Sequence, residues 1–241
     1  MDQAERQADF ARQNELYSEL LAREEELHPD LAAYLYEDED GDLCFMHPLL
    51  QPIGFPGSYD PRYNAVLNHN YGAKSEALAQ AEAACDWQAA VFLHHRPYRI
   101  DALMERADDM HDNEFWNAVG AVWIDSENIH QDGDSWRMLL GSDRPGRENT
   151  MDEVEQAALA ALPDTLTVFR GCTGEDAADG FSWTLDRAKA EWFANRYAHR
   201  RENALVVTGT IDKVDVIAHF LGRNETEIVC LPESVRRRNE G

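Results

Sequence analysis

The segment DTLTVFRGCTGEDAADGFSWTLDRAKAEWFANRYAH, residues 164–199, changes the chain from a helical to a strand-rich pattern. It contains two runs rich in the β-branched and aromatic residues that favour strands, at 166–169 and 180–184. Residues 186–199 predict a helix, because apolar residues recur from Leu185 at the spacing of one helical face. Further strands are predicted at 204–210, 214–218 and 227–231.

The chain before this segment is mainly helical in pattern. Helices are predicted at 4–27, 75–93, 98–109, 114–124 and 151–161. Asp40-Gly41, between two short apolar segments, predicts a hairpin turn, and the Pro- and Gly-rich stretch from His47 to Tyr71 predicts an irregular loop. Helices followed by strands favour an α+β fold, with an N-terminal mainly helical region before a strand-rich core.

These patterns predict three segments. Residues 1–74 contain the first helix, the hairpin and the irregular loop, residues 75–162 form a helical subdomain, and residues 163–241 form the strand-rich core. Residues 75–241 are expected to make one domain.

The composition is that of a strongly acidic globular protein. Its 241 residues are 44% hydrophobic, and 46 acidic against 22 basic residues give a formal charge of −24. Such a surface repels phosphate backbones and anionic lipids, so a nucleic-acid partner is disfavoured but not excluded, and no membrane partner is expected. No run approaches the roughly 18 apolar residues of a membrane span, and the acidic N-terminus is unlike a signal peptide, so a cytoplasmic protein is expected. The four cysteines are scattered, which argues against a zinc site and a disulfide framework.

Three short motifs follow one another in the strand-rich region. They are Val168-Phe169-Arg170-Gly171 at the end of a predicted strand, Phe181-Ser182-Trp183-Thr184 before the predicted helix, and Glu225-Thr226-Glu227-Ile228-Val229 leading into a strand. In this order they resemble the three signatures of the Arg-Ser-Glu, toxin-like class of ADP-ribosyltransferases with a Glu-x-Glu motif. The resemblance implies a mixed-β ADP-ribosyltransferase-type core that uses NAD+ as cosubstrate, without a metal.

The residue types fit that chemistry. The planar donors of Arg170 suit the diphosphate of NAD+. Breaking the nicotinamide bond builds positive charge on the ribose, as in glycoside cleavage, so a fixed carboxylate favours the transition state. Glu227 is the candidate for this carboxylate, and Ser182 is expected to hold it in place.

The resemblance also assigns Glu225 to the acceptor side of the reaction, where it positions or deprotonates the attacking group. In the family a Glu-x-Glu pair accompanies arginine modification, so a protein arginine is the favoured acceptor. The expected partners are therefore NAD+ and a macromolecular acceptor, most simply a protein, together with an inhibitor or antitoxin if the protein is a toxin.

The expected NAD+-binding residues are Arg170, Gly171, Ser182 and Thr184. The nicotinamide ring needs an aromatic or backbone partner, for which the candidates are Gly171, Trp183 and Phe193. Trp183 departs from the family's Ser-Thr-Ser pattern, but side chains alternate faces along a strand. Ser182 and Thr184 are thus still predicted to share a face, with Trp183 pointing away.

Several alternatives stay open. With water as acceptor the protein is an NAD+ glycohydrolase, and with a nucleic acid as acceptor it is a nucleic-acid ADP-ribosyltransferase. A non-catalytic binding module of the same fold is the third alternative, although such a module does not need a paired carboxylate beside a sugar site. Arg144 and Arg147, upstream of the core, are either further contacts for an anionic substrate or part of a polar loop.

Overall fold

The computed structural model describes residues 2–53, 57–196, 203–222 and 226–238, with the backbone alone at residues 3 and 4. The chain divides into two compact units, residues 1–102 and 103–241, here called unit 1 and unit 2. Helices make up 55% of the described residues and strands 17%, which confirms the α+β class. All pairings between the described strands are antiparallel, so the predicted mixed strand directions are wrong. The predicted domain boundaries after residues 74 and 162 stay predictions.

Among its described residues, unit 1 contains four α-helices and a hairpin, and α5 spans the division between the units. Its elements are α1 (Gln3–Leu21), α2 (Pro29–Ala32), β1 (Leu35–Glu37), β2 (Leu43–Phe45), α3 (Asn64–Ala83), α4 (Trp87–Leu93) and the start of α5 (Arg99–Arg106). The hairpin of β1 and β2 is confirmed, and Gly41 in its turn has a φ of +84°, a conformation that glycine adopts without strain. α1 ends at Leu21, six residues earlier than predicted.

The helix predicted at 75–93 is two helices, α3 and α4. Cys85 between them has a φ of +54°, and the Asp86 side chain caps α4 by accepting a hydrogen bond from the Ala89 amide at 3.0 Å. α3 begins at Asn64, inside the predicted irregular loop, since Ala65, Val66 and Leu67 are buried in the unit 1 cores. Tertiary burial here overrides the local signal of the Pro- and Asn-rich sequence.

The helices of unit 2 precede its sheet. They are the rest of α5, α6 (Asp112–Asp125), α7 (Gly133–Leu140) and α8 (Glu153–Ala161). Trp123 of α6 packs edge-on against Trp136 of α7, with ring centroids 4.8 Å apart. α7 was not predicted from the sequence, because eight residues are too few for a clear helical period.

In the part of unit 2 that the structure describes, the sheet has six strands in the order β6-β7-β4-β3-β5-β8. The strands are β3 (Thr165–Thr173), β4 (Ser182–Thr184), β5 (Ala204–Asp212), β6 (Ala218–Phe220), β7 (Glu227–Val229) and β8 (Arg236–Arg237), with α9 (Arg187–Ala194) after β4. The strand predicted at 214–218 starts only at Ala218, because residues 213–215 form a short 3-10 turn with Val214 exposed. The part of the predicted helix at 197–199 lies outside the described residues.

The two faces of this sheet pack differently. One face carries the core, in which Val168, Trp183, Ile211 and Ile228 are at most 2% exposed, and Leu159 of α8 packs against it. α9 packs across β3 at Gly171, where an added Cβ would overlap the backbone of Ala190 and Ala194. The bare Cα of Gly171 therefore lets α9 lie directly against β3, which places α9 beside the predicted motifs.

Candidate active site

A cleft of about 520 Å³ lies within unit 2, between α7, α9 and the sheet. Its lining includes five of the predicted site residues: Arg170, Gly171, Ser182, Thr184 and Glu227. The sixth, Glu225, lies outside the described residues. The volume is in the range of small-molecule sites, roughly 300 to 1,000 Å³.

Ser182 and Glu227 form a hydrogen bond in this cleft. β4 pairs antiparallel with β7, with Thr184 opposite Glu227 and Ser182 opposite Val229, so Ser182 and Glu227 share one face of the sheet. The Ser182 hydroxyl donates a hydrogen bond to Oε1 of Glu227. This bond fixes the orientation of the carboxylate, since a hydrogen bond to a charged acceptor is stronger than a neutral one.

The residue before Glu227 has a strained backbone. Thr226 has a φ of +44°, which is a rare conformation for a β-branched residue and costs about 1–3 kcal/mol. Its carbonyl accepts a hydrogen bond from the Leu185 amide at 3.2 Å, and its hydroxyl lies 3.4 Å from that of Thr184. Contacts with the end of β4 thus hold Thr226 in place next to Glu227.

Arg170 lies within β3, three residues before its end, and not at the end of a strand as predicted. By alternation it shares the core face with Val168 and Cys172, opposite to the face of Ser182. Its Nε donates to the carbonyl of Ala177 at 3.1 Å and its Nη1 to the carbonyl of Ser182 at 2.8 Å. Arg170 therefore ties the loop after β3 to the start of β4.

Arg170 is half-buried, and its guanidinium lies at the edge of the cleft. Burial lowers the pKa of Arg170 from its usual range, although an arginine stays charged. Among the residues that the structure describes, no carboxylate forms an ion pair with it and Nη2 has no hydrogen-bond acceptor. Gly180 packs so closely over it that an added Cβ would overlap the guanidinium. The charges of Asp179 and Glu227 stabilise this cation in part, and an anionic ligand would stabilise it further.

Thr184 and Trp183 have structural contacts. Thr184 is 5% exposed, and its hydroxyl accepts a hydrogen bond from the Asp186 amide at 3.1 Å, which orders the turn before α9. Trp183 is 2% exposed, packs in the core and donates from Nε1 to the carbonyl of Gly180 at 2.8 Å. Trp183 thus points away from Ser182 and Thr184, as the alternation predicts. Phe193 of α9 also lines the cleft, which leaves it as the aromatic candidate outside the core.

One wall of the cleft contains residues that were not predicted from the sequence. Arg137 of α7 lines it, with its Nη1 2.7 Å from each carboxylate oxygen of Glu233 and its guanidinium 5.8 Å from the ring centroid of Phe181. This ion pair lowers the pKa of Glu233. Asp134 and Arg196 line the same cleft. No motif marks these residues, and the unpredicted helix α7 carries two of them.

Arg144 and Arg147 do not line this cleft. Arg144 donates to the carbonyls of Ala107 and Met110 at 2.8 and 2.9 Å, and Arg147 donates to the carbonyl of Val214 at 2.9 Å. Their contacts support the polar-loop alternative over a role in substrate binding.

Comparison of the chain with protein-family models, with curated proteins and with solved structures finds no significant match. Within the described part of the chain, no helix is both long and apolar enough to cross a membrane. No cluster of three or more His, Cys, Asp or Glu side chains that could hold a metal ion is present among those residues.

Proposed function

We propose that this protein is a mono-ADP-ribosyltransferase that cleaves NAD+ and transfers ADP-ribose to an acceptor, with a protein arginine as the favoured acceptor. The observation that carries the proposal is the hydrogen bond from Ser182 to Glu227 in a cleft that Arg170 also lines. A carboxylate oriented by a hydroxyl, in a cleft that also has a half-buried cation, suits a sugar diphosphate whose anomeric carbon becomes positive.

In the proposed reaction the bond between the ribose C1′ and the nicotinamide nitrogen breaks. Its electron pair goes to that nitrogen and neutralises the pyridinium ring. The Glu227 carboxylate stabilises the positive charge that develops on the ribose, and Ser182 keeps the carboxylate aligned. C1′ then bonds to the acceptor nucleophile, whose proton passes to Glu225.

Arg170 and Phe193 have supporting roles in this scheme. The free Nη2 of Arg170 donates to the diphosphate, while its other nitrogens keep their bonds to the backbone. Phe193 supplies an aromatic face for the nicotinamide ring. Gly171 and Thr184 act indirectly, by allowing α9 to approach β3 and by ordering the turn before α9.

The test is NAD+ cleavage by the purified full chain and by Glu227→Gln. We expect the wild type to release nicotinamide and the variant to be at least about 100-fold slower, because it loses one preorganised charge. Glu153→Gln is the matched control, since Glu153 is exposed on α8 and does not line the cleft. It should keep the wild-type rate, and circular dichroism should give the same fold for all three proteins.

Transfer of ADP-ribose to an acceptor is measured in the same preparations, with NAD+ that carries a label in its adenosine. Label that enters protein in a cell lysate supports transfer, and mass spectrometry locates the modified side chain. Nicotinamide release without label in any macromolecule identifies a glycohydrolase instead. A folded Glu227→Gln with wild-type turnover, or a wild type that does not cleave NAD+, contradicts the proposed function.

A further inference from the structure

A second cleft, of about 900 Å³, lies entirely within unit 1. Its wall is mostly aliphatic and aromatic and includes Leu67 and Phe92. Its basic lining residues are Lys74 and Arg99, together with the histidines His94 and His95. Among the described residues that line this cleft there is no aspartate or glutamate.

The residues that line this cleft differ in charge from the rest of unit 1. Residues 1–102 contain 19 acidic and 7 basic residues, a formal charge of −12 with neutral histidines. Two of the seven basic residues line the cleft and none of the 19 acidic ones does. The cleft is therefore a local positive region in a unit that otherwise repels anions.

The carbonyl end of α4 brings two of the cations together. Nζ of Lys74 donates to the carbonyl of Leu93 at 3.3 Å, and Nε of Arg99 donates to the carbonyl of His94 at 3.1 Å. Lys74 has three ammonium donors, of which this bond uses one, and it has no ion pair with any described residue. Lys74 therefore has donors left for a ligand in the cleft.

The environment of His95 is consistent with this positive region. Burial is the main cause that lowers the pKa of His95, and the charges of Arg99 and Arg96 lower it further. An anion placed in the cleft offsets this repulsion between neighbouring cations.

We propose that this cleft binds a small organic anion whose charged oxygens contact Lys74 and His95 and whose apolar part packs against the aliphatic wall. The site lies in unit 1 and does not depend on the function proposed for the unit 2 cleft. The simpler alternative is that Lys74 and Arg99 only cap the carbonyl end of α4.

The test is calorimetric titration of the full chain with phenyl phosphate, inorganic phosphate and phenol. Phenyl phosphate combines a charged and an apolar part, so we expect it to bind with a Kd at least about 10-fold lower than either fragment. Lys74→Gln removes a charge-assisted hydrogen bond and should weaken phenyl phosphate binding by about 10-fold or more.

Lys189→Gln is the matched control, because it makes the same change on helix α9, outside both clefts. It should bind phenyl phosphate as the wild type does. If Lys74→Gln does not fold, His95→Gln takes its place and should also weaken binding. Equal binding by the wild type and a folded cleft variant, displacement of phenyl phosphate by NAD+, or no binding at all overturns the inference.

Discussion

At the scale of single residues, the candidate active site depends on a few polar side chains whose contacts are specific. Ser182 donates a hydrogen bond to Glu227, and Arg170 donates hydrogen bonds to two backbone carbonyls. These bonds restrict the side-chain conformations of Ser182 and Arg170. Such restriction makes electrostatic stabilisation effective, because the site needs little reorganisation during the reaction. The strained Thr226 next to Glu227 fits the same pattern.

Among the described residues, His219 on β6 is the one whose buried side-chain nitrogens have no hydrogen-bond partner. It is 3% exposed, and neither ring nitrogen has a hydrogen-bond partner among the described residues. Burial lowers the pKa of His219 below its ordinary value of 6.5, with a smaller opposite effect from Glu155. Below pH 6.5 the unfolded chain therefore binds a proton that the folded protein does not, and stability falls as the pH falls.

We expect His219→Leu to reduce this loss of stability. The free energy of unfolding of the wild type should drop between pH 7.5 and 5.5 by about 1 kcal/mol more than that of the variant. Denaturant titrations at both pH values measure this difference. His47 and His95, whose pKa values burial also lowers, are common to both proteins and cancel in the comparison. An identical pH dependence shows that His219 does not titrate as its burial indicates.

At the scale of elements, the packing of α9 on β3 shapes one side of the cleft. Gly171 faces the backbone of Ala190 and Ala194, so the helix approaches the strand as closely as a residue without a side chain permits. Phe193 and Arg196, on and just after α9, line the cleft from this position. Gly171, which follows Arg170 in the first motif, therefore also allows α9 to pack against β3. The motif alone does not predict this packing role.

Gly171→Ala is expected to destabilise the protein by about 1–3 kcal/mol, because α9 must move away from β3 to admit the methyl group. The matched control is Gly72→Ala on α3, where an added Cβ meets no atom within 4 Å. There the change should stabilise the helix by roughly 0.5–1 kcal/mol. Thermal unfolding of both variants measures the contrast, and a melting temperature for Gly171→Ala at or above that of the wild type contradicts the close packing.

At the scale of the whole molecule, charge is distributed unevenly along the sequence. Residues 1–182 have a formal charge of −25, whereas residues 183–241, which include Glu227, have +1. The net charge of the protein attracts cations, and this attraction comes from residues 1–182 and not from the segment that contains Glu227.

The total charge of −24 also predicts the response of stability to salt. Repulsion among the acidic side chains weakens as the ionic strength rises, so the melting temperature at pH 7.5 should increase between 20 and 200 mM NaCl. The control is the same experiment near pH 4.6, the isoelectric point, where the salt effect should be small. A melting temperature that falls with salt at pH 7.5 indicates that surface ion pairs, such as Arg236 with Asp212, outweigh the net repulsion.

Much of the fold and part of the candidate site could be predicted from the sequence. The α+β class, the hairpin at Gly41 and the start of α9 follow from local periodicity, turn residues and helix caps. The shared face of Ser182 and Thr184 follows from the alternation of side chains within one strand. Each of these depends on interactions between residues close in sequence.

Only the tertiary structure decided how the candidate site is assembled. Ser182 and Glu227 are 45 positions apart and meet because β4 and β7 are neighbours in the sheet. The contacts of Arg170 with the loop after β3 and the place of Arg137 in the cleft also depend on packing. The physical reason is that strand order and helix packing are set by burial of the whole core, so no short motif can encode which distant side chains meet.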